Sequence, residues 1–107
     1  MRSILISTLA LTLASPALAE DNSTFCARMA AEDKLEGRSA SDCKCVYGQA
    51  DNHLTPEMKK TIQESHDAGT SGEDMMRAMF ALGLDHNDIF ARMEAYAGGI
   101  DANCKIQ

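Results

Sequence analysis

Four cysteines, Cys26, Cys43, Cys45 and Cys104, are the residues of this 107-residue chain best placed to do chemistry. Three outcomes are open to them: structural disulfides, dithiol redox chemistry or thiolate metal ligation. Cys43 and Cys45 are one residue apart, and on a helix that spacing turns their side chains about 200° from each other. A bond between the two needs a small strained ring and an unwound helical turn. One of them therefore pairs with Cys26 and the other with Cys104. Redox use would let one thiolate of the C-x-C pair attack and the other resolve. Yet Cys43 falls on an apolar stripe, and Lys44 is the only adjacent cation. Zinc prefers C-x2-C spacing, which is missing here. Two structural disulfides are the expected state.

Other side chains that could bind or catalyse are dispersed. Met75, Met76 and Met79, with His86 and Met93, are the types that hold Cu(I). Met75 and Met79, however, are i, i+4 on the helix face that also carries Phe80, which is the pattern of adaptable core filling. His53, His66 and His86 each lie near a helix end, where a solvated cap is expected. Nothing in the chain has the form G-x-S-x-G, H-E-x-x-H or C-x-x-C-H, and Asp85-His86-Asn87-Asp88 is too short for a calcium loop. No catalytic residue, metal ligand or cofactor is therefore assigned.

Helix punctuation defines the elements that must position the cysteines. Asn22 to Thr24 can cap a first helix bearing Phe25, Met29 and Leu35 that stops near Gly37. Ser39-Ala40-Ser41-Asp42 has capping-box form, with either serine as the cap. After it, Cys43, Val46, Tyr47, Ala50 and Leu54 make one continuous apolar face. Thr55-Pro56-Glu57 opens a third helix that buries chiefly Met58 and Ile62. Ser71-Gly72-Glu73-Asp74 opens a fourth, stopped by Gly83. Asp85 and Asp88 cap a last helix with Ile89, Phe90, Met93 and Tyr96, for which Gly98-Gly99-Ile100 reads as the stop. The expected fold is all-α: a compact bundle of five short helices over 24–36, 40–53, 56–68, 72–82 and 86–98, stapled by two disulfides. An antiparallel hairpin turning near Arg38 places Cys26 level with about residue 50. That leans toward Cys26–Cys45 and Cys43–Cys104, by a margin of two residues.

The first 19 residues read as a secretory signal peptide. Arg2 precedes an apolar run from Ile4 to Leu13, Pro16 ends it, and Ala17 and Ala19 supply the small residues a signal peptidase reads. Threonine and serine interrupt the run, which falls short of the roughly 20 residues of a membrane span. Residues 20–107 then form one domain, with no stable membrane anchor after cleavage. Without Arg2, nine lysines and arginines face sixteen acids, a net charge of −7. Such a surface repels nucleic-acid phosphates and anionic lipids and leaves cationic partners open. An exported location, periplasmic or secreted, also supplies the oxidising conditions that paired thiols need.

The string SDCKCVYGQADNHLTPEMKK, followed by GTSGEDMMRAMFALGLDHNDIF and a final cysteine, resembles a group of small exported proteobacterial proteins. Their shared pattern is C…C-x-C…L-[ST]-x-E…C. The resemblance covers nearly all of residues 20–107 and implies compartment, helices and cysteine pairing, with no activity attached. LTPEMKK is similar to the opening of periplasmic stress-chaperone helices, with Met58 where their glutamine stands. CVYGQAD is similar to a stretch of secreted immunity proteins whose central cysteine is missing here. The expected function is a non-enzymatic periplasmic interaction module acting on another protein, chaperone-like or inhibitor-like. A small copper-binding or thiol-redox protein is the alternative.

Overall fold

The computed structural model describes residues 19–105. The expected signal segment lies, apart from Ala19, outside the described residues. Five helices follow one another: α1 (Asn22–Ala31), α2 (Ala40–His53), α3 (Pro56–Ala68), α4 (Gly72–Phe80) and α5 (His86–Asn103). No strand occurs among the described residues. The all-α bundle with two disulfides is the observed architecture.

Each helix begins on a side chain that takes up an otherwise unpaired backbone N–H. Asp21, rather than a residue within 22–24, caps α1 by accepting from the Thr24 N–H at 2.9 Å. That bond, reinforced by the Thr24 hydroxyl, holds the Asp21 carboxyl below its ordinary range. Ser39, Thr55, Ser71 and Asp85 cap the other four, accepting from Asp42, Met58, Asp74 and Asp88 respectively. Pro56 stands in the first turn of α3, where its missing N–H costs nothing.

The second helix is the hub: it packs on α1, α3 and α5, while α4 bridges α3 and α5. Its stripe of Cys43, Tyr47 and Ala50 is buried. Phe25 and Met29 of α1 are fully buried in the same core, and the Phe25 and Tyr47 rings meet edge to face at 4.9 Å. Met58, Met79 and Ile89 bring α3, α4 and α5 into it.

Besides the earlier start of α1 at Asn22, three helix ends depart from the sequence expectation. α1 ends at Ala31, not Gly37, because Asp33 takes the left-handed conformation at φ 58°. The Asp33 and Lys34 N–H groups then close back on the Ala30 and Met29 carbonyls, the paired bonds of a Schellman stop. α4 ends two residues early, at Phe80. α5 runs through Gly98-Gly99 to Asn103. Gly99 sits where α5 crosses α2, and a Cβ there would come 3.0 Å from His53 Nε2 and closer still to Gln49 Oε1. The glycine leaves room for the ends of the Gln49 and His53 side chains rather than marking a stop.

The disulfides join Cys26 to Cys43 and Cys45 to Cys104, each with Cα atoms 5.8 Å apart. This corrects the leaning toward Cys26–Cys45 and Cys43–Cys104. Level counting assumed that α1 continued to residue 36. With α1 ending at Ala31, Cys26 is five residues from its end and comes level with the first turns of α2, so facing decides. Cys43 shares the face of Tyr47 and Ala50, which lies on α1, whereas Cys45 faces the other way, toward α5. The extension of α5 delivers Cys104 as its C-cap. No cysteine is free among the described residues.

Candidate functional site

The connection from α1 to α2 is built as a wall rather than a tight turn. Asp33, Glu36 and Gly37 all adopt positive φ, at 58°, 54° and 85°. The chain thereby stands away from the helices while Leu35 tucks into the core. Between this wall, α2 and α3 opens a cleft of about 630 Å³, within the size range of small-ligand sites. Val46, Tyr47, Ile62, Met75 and Tyr96 line it, with Cys43 of the first disulfide at its side.

His66 fixes the wall to the floor. Its Nε2 lies 3.0 Å from the Lys34 carbonyl and its Nδ1 3.2 Å from the Tyr47 hydroxyl. A carbonyl can only accept, so Nε2 carries the proton. In the neutral ring Nδ1 must then accept, which makes the Tyr47 hydroxyl the donor. Burial pushes the Tyr47 phenol well above its ordinary range, with Tyr96 nearby adding to the effect. Burial alone raises Tyr96 to about 12. Both phenols are therefore neutral at ordinary pH.

The outer edge of the wall is held by charge. The Lys34 ammonium donates to Asp67 Oδ1 at 2.7 Å and to the Asp67 carbonyl at 2.9 Å. Arg28 reaches Glu20 at 2.7 Å and Asp67 at 3.2 Å. Lys34, then Arg28, hold the Asp67 carboxyl below its usual range. Gln63, almost fully buried, clamps the Glu20 backbone from both sides, accepting its N–H at 2.9 Å and donating to its carbonyl at 2.8 Å. Lys59 buries its stem and extends its ammonium to Asp51 at 2.6 Å. α3 thus buries Lys59, Thr61 and Gln63 beside the expected Met58 and Ile62.

Of the residues singled out by type and spacing, the cysteines pair and only Cys43 touches the cleft. The methionines separate: Met79 is fully buried, Met75 faces the cleft, and Met76 and Met93 are half-buried against the core. His86 is exposed, its ring centroid 4.4 Å from that of Phe80. His66 is no solvated cap, since both ring nitrogens are engaged within the protein. No cluster of three or more His, Cys, Asp or Glu side chains able to hold a metal exists among the described residues. The cleft itself escaped the sequence reading, because helix patterning assigned Tyr47 and Tyr96 to the core and took 32–36 as helix. The one available signal was Gly37 next to Arg38, which marks a turn without revealing its width.

Compared with protein-family models, curated proteins and solved structures, the chain matches none. Among the described residues no helix is long and apolar enough to cross a membrane. Two disulfides are compatible with an oxidising, exported location.

Proposed function

We propose that this chain is a non-enzymatic interaction module of the periplasm or the secreted space, acting by binding another protein. One observation carries the reading: a cleft of about 630 Å³ with an apolar floor opens on an acidic molecule and is ringed by more carboxylates than cations. Apolar surface gathered in a concavity and rimmed by charge is the usual form of a recognition site. The signal-like first 19 residues, the paired cysteines and the likeness to small exported proteobacterial proteins support the compartment.

Site-specific photocrosslinking in the native host tests it. Benzoylphenylalanine replaces Arg38, exposed at the cleft rim, or Glu94, exposed on α5. The expected result is one discrete periplasmic adduct from position 38 and none from position 94. No adduct from position 38, or the same adducts from both, removes the proposal.

A further inference from the structure

The polarity of the cleft restricts what can occupy it. Tyr96 is 7% exposed and lines the cleft. Its hydroxyl has no hydrogen-bond partner among the described residues, yet it is not sealed away from the opening. Such a phenol has only water to bond at the cleft opening, a place that a ligand group entering the cleft can take. With the His66 ring neutral, the neighbouring Tyr47 hydroxyl donates to Nδ1 and its oxygen offers lone pairs to the cleft. The floor therefore presents the Tyr47 oxygen as an acceptor and the Tyr96 hydroxyl as a group that can accept or donate.

The rim agrees in sign. Asp33, Glu36, Asp42 and Asp67 stand against Lys34 and Arg38. Lys34 is already bonded to Asp67, which leaves Arg38 as the one rim cation without an ion pair among the described residues. A carboxylate or phosphate entering here meets an excess of negative charge and one free cation. A cation meets carboxylates, two phenolic oxygens and aromatic faces, all of which attract it. Val46, Ile62 and Met75 supply apolar contact for a stem.

We propose that the cleft receives a protonated amine or guanidinium on an apolar stem, namely a lysine or arginine side chain of the partner protein, with the Tyr96 hydroxyl as its hydrogen-bond acceptor. The inference rests on the interaction-module reading and specifies what that module recognises. The stem lies along Val46, Ile62 and Met75, and the charge stays near the rim carboxylates.

Titration of the isotope-labelled, oxidised protein at pH 7 with four probes tests this by NMR: n-hexylamine, n-hexanoic acid, n-hexanol and acetyl-Leu-Lys-Leu-amide. Saturable shifts are expected at the Val46 and Ile62 methyls and the Tyr96 ring with hexylammonium and with the peptide. Hexanol should bind more weakly and hexanoate at least tenfold more weakly. Tyr96→Phe keeps the ring and deletes the acceptor, and should weaken amine binding by about tenfold. Phe90→Ser, on the exposed flank of α5, should leave it unchanged. Equal binding of all four probes, preference for hexanoate, no binding, or unaltered affinity in folded Tyr96→Phe would each overturn the inference. Amine and peptide binding without a position-38 adduct keeps the cation site and removes the protein partner in the native host. An adduct without amine binding does the reverse.

Discussion

The two tyrosines are the only ones in the chain, and both belong to the cleft, so an alkaline titration reads the site directly. Unfolded phenols release their protons near pH 10. Burial raises Tyr96 to about 12 and Tyr47 further. The unfolded chain thus loses protons first as pH rises. The stability linked to these groups is complete below pH 10 and is lost as pH climbs through the folded values. For Tyr96 the rise to about 12 corresponds to roughly 2–3 kcal/mol, and Tyr47 acts in the same direction. Tyr96 alone is thus a sizeable share of the stability of a domain of this size, roughly 4–13 kcal/mol. In a stopped-flow pH jump, tyrosinate absorbance at 295 nm should stay absent at pH 10.5 with the helical signal at 222 nm intact. Both should then change together between about pH 11 and 12. Phenolate formation with a midpoint near pH 10 while the helices persist would refute the account of the floor as buried and neutral.

Three further outcomes test the framework. Removing the Cys45–Cys104 bond by paired alanine substitutions should lower stability by about 4 kcal/mol, and removing Cys26–Cys43 by about 3, since the first closes the longer loop; urea unfolding with the reverse order would contradict the chain-entropy account. Asp33→Gly should raise the urea midpoint by the equivalent of about 1 kcal/mol, because glycine occupies the left-handed position without strain; a loss would mean that the carboxylate matters more than its backbone. Gly98→Ala, with open space around the new methyl, should stabilise α5 by about 1 kcal/mol, whereas Gly99→Ala should gain less, because the Gln49 and His53 side-chain ends must shift to admit the methyl; equal gains in thermal melts would show that those side chains move at no cost.

How far the sequence foretold the molecule depends on whether a feature is local. Caps are local: Ser39, Thr55, Ser71 and Asp85 open their helices as their spacing implies, because each bond spans three residues. The apolar stripe from Cys43 to Ala50 was equally plain, and it held the answer to the cysteine pairing. Residues that share a face share a neighbour, so Cys43 belonged with whatever packed on Tyr47. Level counting missed this because it ignored facing: even with α1 ending at Ala31 and α2 opening at Ala40 it sets Cys26 level with Cys45, whose side chain faces away from α1. Gly99 misled for another reason, since a missing Cβ can leave room for neighbouring side chains as well as end a helix. The cleft was the least legible feature of all. It depends on Lys34, Tyr47 and His66 meeting from three separate segments, and no spacing along the chain encodes that meeting.

Because each disulfide joins cysteines that are consecutive along the chain, the effect of a protease depends sharply on where it cuts. Any single cleavage between residues 26 and 43, or between 45 and 104, leaves both fragments covalently attached. Between Cys26 and Cys104, only the two peptide bonds flanking Lys44 lie outside both loops. They lie within α2, whose helical hydrogen bonds must open before an enzyme can bind them. A nicked molecule can therefore persist intact in mass and shape, and its release into pieces reports the unwinding of one helical turn.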